Sequence, residues 1–202
     1  KSILIWRAML QWLGGIGIIV IAIAIFPILK IGGMQLFQSE FSSKEEKVLP
    51  RTTKIATGIG FVYFFLTIIC SFSLFVTGMT GFDSVAHGMT IIATGGFSTK
   101  DMSIGFFDSV YIEVVTIFFM ILSSLPFILL FQSIRGKLMD LVASSQVRFF
   151  LILILSVTIL VAFWLKRYYE VDFFQSLRIS AFAVTSISTG CLLYTSDAAD
   201  EE

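Results

Sequence analysis

The chain has 202 residues and a formal net charge of zero, with 56% hydrophobic and only 14% charged residues. A soluble domain usually has about 25% charged residues, so this surface cannot face water on all sides and lipid is the expected solvent. Zero net charge provides no basic field for a nucleic acid, and the single histidine, His87, argues against a histidine-rich metal site or a Ser-His triad. We therefore predict an all-α membrane protein that has no nucleic-acid partner and needs no cofactor.

Four segments are long and apolar enough, or nearly so, to cross a bilayer, which takes about 20 residues. They are residues 8–29, 55–76, 110–131 (with flanking residues, 106–134) and 149–165. Each should be helical, because lipid offers no partner to backbone polar groups. Pro126 is expected to kink the third segment, and Ser123 and Ser124 can bond the backbone groups that the kink frees.

Two further stretches, residues 82–93 and 171–186, are too short and too polar to span. The first ends in Thr94-Gly95-Gly96 and the second in Ser188-Thr189-Gly190. Non-helical backbone at membrane depth is tolerated only inside protein or beside a water-filled path. We therefore predict two re-entrant pore helices, and with them a repeated unit of span, half-helix and span.

Charged residues suggest an orientation. Residues 30–54 contain five Lys/Arg and three acids, and residues 135–148 contain three Lys/Arg and one acid, so both loops are predicted to be cytoplasmic. Asp83 and Asp172 stand where helix N-caps are expected. Glu113 lies within a span and is either functional or simply reaches the interface; the sequence leaves both interpretations open.

The stretch Ala93-Thr94-Gly95-Gly96-Phe97 has the character of an ion filter. A filter replaces the water of a cation with backbone carbonyls, glycine permits the required dihedral angles, and the negative end of the preceding helix favours a cation. An ordinary Gly-Gly turn between helices is the alternative, and spacing alone does not decide between them.

A second glycine cluster, Gly14-Gly15-Ile16-Gly17, is either a hinge or a place of close helix approach. It lacks the Lys and Ser/Thr of a phosphate-binding loop, so nucleotide binding there is rejected.

Longer strings resemble a known family. Trp6–Val20 (WRAMLQWLGGIGIIV), Gly32–Phe37 (GGMQLF), Ile91–Thr99 (IIATGGFST) and Ser103–Ser109 (SIGFFDS) are similar, in order, to TrkH-type potassium uptake proteins of the Trk/Ktr/HKT superfamily. The resemblance implies a transporter rather than an enzyme, with four span–pore-helix–span repeats around one potassium pore. It further implies a multi-pass protein of the bacterial inner membrane, a homodimer, and a cytoplasmic nucleotide-binding regulatory subunit, TrkA, with permeation that is either passive or ion-coupled.

The resemblance also implies which residues bind potassium. They are Ala93, Thr94, Gly95, Gly96 and Phe97 in one filter strand, and Ser188, Thr189 and Gly190 at the start of another. Gly96 is the implied filter glycine, and Gly95 is the alternative register.

The implied division has three parts, giving one complete repeat and parts of two others. Residues 1–54 are the second span of the first repeat and a cytoplasmic loop, residues 55–145 the second repeat, and residues 146–190 the start of the third. A Gly-aromatic pair is expected after Gly190, but Leu192-Leu193 stands there. Residues 191–202 resemble a translated adapter of sequencing libraries, and we hypothesise that they are not native; resequencing the locus across codon 190 tests this.

Two other functions remain as alternatives. A membrane-embedded enzyme would need a nucleophile with a base, or paired carboxylates, at facing positions of the spans, and none of the segments 8–29, 55–76, 110–131 and 149–165 contains two acids. A non-conducting assembly subunit is the second alternative, and ion flux measured on the complete gene product discriminates it.

Overall fold

The computed structural model describes residues 1–29, 48–136, 138–169 and 172–195. Its helices, in chain order, are α1 (Ser2–Leu29), α2 (Val48–Val76), α3 (Gly81–Ile92), α4 (Val110–Ser123), α5 (Phe127–Ile134), α6 (Leu138–Ala143), α7 (Ser145–Tyr169) and α8 (Phe173–Thr189). A 3₁₀ turn covers Ser103–Phe107. The described ranges contain no β-strand, which confirms the all-α prediction. Most of the first predicted cytoplasmic loop (residues 30–47) and residues 196–202 lie outside the described residues.

Helices α2 and α7 contain segments long and apolar enough to cross a membrane, Ile55–Val76 and Ser145–Tyr168. Their large apolar side chains are exposed, for example Phe72 on α2 and Phe149 on α7. Apolar surface of this extent is stable only against lipid or further protein. Helix α1 begins at Ser2, earlier than the predicted residue 8, and runs without a break to Leu29.

The third predicted span is broken rather than kinked. Helices α4 and α5 meet at an angle of 97°. Pro126 lies at the break. Because proline has no N–H to donate and restricts the residue before it, the helix does not continue through this position. The hydroxyls of Ser123 and Ser124 both donate to the carbonyl of Met120, at 3.0 and 2.9 Å, as the sequence predicted for the freed backbone.

Each short helix packs against the span before it, α3 on α2 and α8 on α7. Asp172 is the N-cap of α8, as predicted, and accepts from the N–H of Phe174. For α3 the prediction was wrong: Thr80 is the N-cap, and its side chain accepts from the N–H of Asp83, which lies in the first turn. This pairing resembles a capping box, in which the cap and the third helical residue bond reciprocally.

Helix α8 continues to Thr189, three residues beyond the predicted end at 186. Ser188 and Thr189 therefore lie in its last turn, and the non-helical backbone begins only at Gly190.

The main core lies where α2, α3, α4 and α8 meet. Its buried side chains include Tyr63, Cys70, Leu74, Ile91, Ile92, Ile112, Phe119, Met120 and Phe182. Both short helices thus pack on one core, and this brings the loops that follow them together. A Cβ at Gly96 would collide with the carbonyl oxygen of Cys191.

Candidate functional site

The loop after α3 leaves the helix through left-handed backbone. Thr94 has a φ of 51° and Gly96 a φ of 70°, while the N–H of Gly95 bonds the carbonyl of Thr90 at 2.8 Å. Left-handed backbone costs an ordinary L-residue about 1–2 kcal/mol, whereas glycine adopts it freely. Gly96 therefore meets a conformational need, and Thr94 is held in its conformation by the surrounding structure.

The loop after α8 also has two residues in left-handed backbone, again two positions apart. Gly190 has a φ of 72° and Leu192 a φ of 55°. Leu192 thus stands in left-handed backbone, as Gly96 does in the first loop, at the position where the sequence pattern leads one to expect glycine. The mismatch falls in the segment hypothesised not to be native, and that hypothesis stays a prediction.

Three of the five main-chain carbonyls in the stretch 93–97 accept hydrogen bonds from protein donors. The carbonyl of Gly95 accepts from Gln11 Nε2 at 2.8 Å, that of Phe97 from Thr90 Oγ1 at 2.9 Å, and that of Ala93 from Thr94 Oγ1 at 2.8 Å. Within the described part of the chain, the carbonyls of Thr94 and Gly96 accept none. These two oxygens are the candidates for binding a ligand.

The segment after the loop is held back against α3 by side chains on one face of that helix. Residues at 83, 87 and 90 are spaced four and three apart, which places them on the same face. We call this set of contacts the clasp: Thr90 Oγ1 to Phe97 O (2.9 Å), His87 Nε2 to Ser98 Oγ (2.9 Å), Thr99 Oγ1 to Asp83 Oδ1 (2.5 Å) and Lys100 Nζ to Asp83 Oδ2 (3.7 Å). The half-helix therefore determines the path of the chain that it precedes.

His87 is fully buried within the clasp. Its Nδ1 lies 2.8 Å from the main-chain carbonyl of Asp83, which can only accept, so we assign the proton to Nδ1 and let Nε2 accept from Ser98. Burial lowers the pKa of His87, against the opposing effects of the Asp83 carbonyl and carboxylate. The imidazole is therefore neutral at pH 7.

Asp83 is buried but charged. Burial raises the pKa of its carboxyl group, but hydrogen bonds from Thr99 and Thr80 and the charge of Lys100 outweigh burial and lower it. Because the polar side-chain atoms of Asp83 and His87 are already bonded within the protein, neither residue is free to act as a general acid or base.

Helix α1 lies close against the start of the loop. A Cβ at Gly15 would lie 2.8 Å from Tyr63 Oη and 3.2 Å from Ala93 Cβ. The same tyrosine hydroxyl donates to the carbonyl of Trp12 at 2.9 Å, and Trp12 Nε1 donates to Thr67 Oγ1 at 2.9 Å. The structure thus supports close approach, rather than a hinge, for this part of the glycine cluster.

Glu113 is buried and paired in the structure, and its position relative to the membrane–water interface stays untested. It is buried on α4, with Oε2 at 3.2 Å from Nε of Arg178 on α8. The sequence indicates Glu113 as a candidate but not its partner, because Arg178 lies on a different helix, α8, far away in the sequence.

A cavity of about 360 Å³ borders the loop. It is lined by Arg7, Gln11, Gly95, Gly96, Phe97, Ser98, Lys100, Ser103 and Tyr194. The guanidinium of Arg7 lies 4.7 Å from the centre of the Phe97 ring. No group of three or more His, Cys, Asp or Glu side chains that could hold a metal ion occurs in the described residues.

Of the predicted site residues, the structure brings Ala93 to Phe97 together in one loop and places Gly190 at the start of a second loop beside it. Sequence reasoning missed Gln11, Thr90 and the bridging role of His87. The available signal was a polar side chain inside an apolar helix, which needs a partner when buried.

Comparison with known proteins identifies relatives of this chain. The sequence model of the TrkH family, described as cation transport proteins, matches residues 1–191. The Trk system potassium uptake protein TrkH of Halomonas elongata is 39% identical over 194 residues, covering 94% of this chain and 40% of that protein. The TrkH of Escherichia coli K12 is 44% identical over 138 residues, covering 67% of this chain and 29% of that protein.

A solved structure is also similar. The crystal structure of the potassium transporter TrkH from Vibrio parahaemolyticus superposes with a TM-score of 0.84 at 33% identity, covering 97% of this chain and 40% of that one. The chain thus spans at most about two fifths of the length of these relatives. On this evidence the chain belongs to the TrkH family of cation transport proteins, whose repeated span and pore-helix fold it shares.

Proposed function

We propose that this chain is part of a potassium uptake protein, and that Ala93 to Phe97 form one strand of its selectivity filter. The observation that carries the proposal is the bonding of the loop: Thr94 and Gly96 carbonyls accept no hydrogen bond within the described residues, while their neighbours are tied to Gln11 and Thr90. A cation that loses its water needs such oxygens as replacements. The ion is proposed to be potassium because the relatives are named potassium uptake proteins.

Helix dipoles support a cation at this place. Helix α3 ends at Ile92, one residue before the filter strand, and α8 ends at Thr189, just before Gly190. The unpaired carbonyls at a helix C-terminus carry about half a negative charge, which attracts a cation within roughly one turn. Two such ends directed to one locus favour permeation of cations over anions.

The second strand begins at Gly190 rather than earlier, because Ser188 and Thr189 are helical. Their contribution is the last turn of α8, whose carbonyl ends face the loop, with Thr189 Oγ1 turned back to the carbonyl of Ser186 at 3.3 Å. The first and fourth strands of a fourfold filter belong to the remaining length of the whole protein.

The rest of the assembly is proposed from the resemblance in sequence described above. We place the protein in the bacterial inner membrane as a multi-pass homodimer that binds a cytoplasmic nucleotide-binding subunit of the TrkA type. A membrane enzyme is the weaker alternative, since His87 and Asp83 are committed to the clasp. A non-conducting subunit is the other alternative.

The test uses the full-length protein in cells that lack other potassium uptake systems. The unchanged protein should restore growth at low potassium, and Gly96→Arg should abolish it with the protein still inserted. Normal growth with inserted Gly96→Arg would contradict the filter assignment. Absence of potassium uptake by the unchanged, inserted protein would favour the non-conducting subunit.

A further inference from the structure

An ion pair with a buried carboxylate joins α4 to α8. Glu113 stands in the first turn of α4, in the second repeat, and Arg178 stands on α8, the half-helix of the third. Their Oε2 and Nε atoms are 3.2 Å apart, and the Glu113 side chain is only 9% exposed. The Arg178 side chain is 32% exposed, so the pair lies at the edge of the interface between α4 and α8.

A charged pair is not needed for packing at this place. Ionisable side chains in membrane segments are costly, and apolar residues of similar size often stabilise an interface as well as a buried ion pair does. The Nε–H of Arg178 makes no hydrogen bond within the described residues, so its contact with Glu113 is one of charge with charge. A pair of this kind is explained better by a role in specifying an arrangement than by stability.

The apolar contact beside it cannot specify the arrangement alone. Phe182 of α8 packs in one core cluster with Ile112, Phe119 and Met120 of α4. Hydrophobic contact has no direction, so such an interface resists separation more than it resists rotation or sliding. An opposite charge on each helix favours one rotation of α8 and one position along its axis, because the attraction falls as the charges move apart.

Helix α8 links the position of Arg178 to the position of the second loop. From Arg178 to Thr189 α8 is a continuous helix, and at 1.5 Å per residue this is about 16 Å of rigid rod. The non-helical loop begins at the next residue, Gly190, beside Gly96 of the first loop. A rotation of α8 about its axis would therefore displace the start of the second loop relative to the first.

We propose that Glu113 and Arg178 are positioning residues for ion selection: their ion pair fixes the pore helix of the third repeat against the second repeat, and so sets the relative position of two filter strands. The inference rests on the proposed potassium filter. Neither side chain is assigned to the ion itself; both act through the placement of α8.

The test measures ⁸⁶Rb⁺ uptake and its competition by Na⁺ in proteoliposomes containing the full-length protein. Glu113→Gln and Arg178→Gln should each weaken discrimination against Na⁺ by roughly tenfold, within the range of coupling between residues in contact. The charge-reversed double variant E113R/R178E should recover most of the discrimination. Asp101→Asn, which removes an exposed acid, is the matched control and should leave it unchanged.

A purely structural role would lower the amount of inserted protein but leave the Na⁺ competition of the inserted fraction unchanged, and that result would overturn the inference. A double reversal no better than either single variant, with all three inserted, would overturn it as well. Should the single variants fail to insert, the neutral pair E113Q/R178Q carries the test: inserted protein with normal discrimination refutes the inference, and inserted protein with lost discrimination supports it. A wild-type protein with no ⁸⁶Rb⁺ uptake would instead refute the proposed function.

Discussion

Removing one hydroxyl of the clasp should weaken ion selection without unfolding the protein. Thr90 is fully buried, and its Oγ1 lies 2.9 Å from the carbonyl oxygen of Phe97 and 3.1 Å from that of His87. Valine has nearly the same shape, so Thr90→Val fills the site but leaves the carbonyl of Phe97 without its donor. A net hydrogen bond contributes about 1 kcal/mol, and an orphaned buried carbonyl costs about 1–3 kcal/mol.

The Phe97 carbonyl is only partly buried, so the lower figure applies. A loss of about 1 kcal/mol shifts the balance between clasped and released loop roughly fivefold toward the released form. Full-length Thr90→Val in proteoliposomes should therefore insert normally, yet show a several-fold weaker preference for ⁸⁶Rb⁺ over Na⁺. Thr90→Ser keeps the hydroxyl and should behave like the unchanged protein. Equal selectivity in Thr90→Val and the unchanged protein would refute the role of the clasp.

Two further predictions concern stability of the full-length protein, read as Tm in detergent. Gly15→Ala should lower Tm, because its Cβ would press on Tyr63 and Ala93, at a cost of about 1–3 kcal/mol; Gly14→Ala, with nothing near its Cβ, should leave Tm equal or higher, and equal effects of the two would contradict the close approach of α1. Since burial lowers the pKa of His87, the unfolded state takes up a proton first as the pH falls below about 6.5. The stability that His87 contributes is thus present above pH 6.5 and lost as the pH falls through its folded value, so Tm should fall more between pH 6.5 and 5 in the unchanged protein than in His87→Gln. Parallel Tm profiles would show that the imidazole is not buried in its neutral form.

Local sequence was sufficient to predict the long apolar helices and the position of the proline, because these depend on the lipid solvent and on backbone hydrogen bonding. Continuous apolar runs predict α2 and α7 because lipid excludes anything but satisfied backbone. Pro126 predicts a kink because it lacks a donor, but the full break with its angle of 97° depends on what packs around it. The ends of short helices were less well predicted: Thr80 caps α3 in place of Asp83, because a reciprocal pair of side chains can begin a helix three residues earlier than a lone acid suggests.

The filter loop was located from its glycines, but the contacts that hold it were not. The partners of Ser98 and Thr99 are His87 and Asp83, which meet them only after the chain folds back along α3. Gln11 reaches Gly95 from α1, far away in the sequence. Spacing in the sequence does not predict such contacts, since they depend on how the helices and loops pack.

We propose that the loop of Gly96 selects and conducts potassium. The most direct test of this proposal is ⁸⁶Rb⁺ flux into proteoliposomes with the full-length protein bearing Gly96→Ala, compared with Gly136→Ala. Both glycines have a positive φ, 70° and 89°, so both variants carry the cost of left-handed alanine, but Gly136 has nothing near its Cβ and follows α5 rather than α3. We predict that Gly96→Ala loses most of the flux or its preference over Na⁺, while Gly136→Ala retains both. Normal, selective flux through inserted Gly96→Ala would contradict the account.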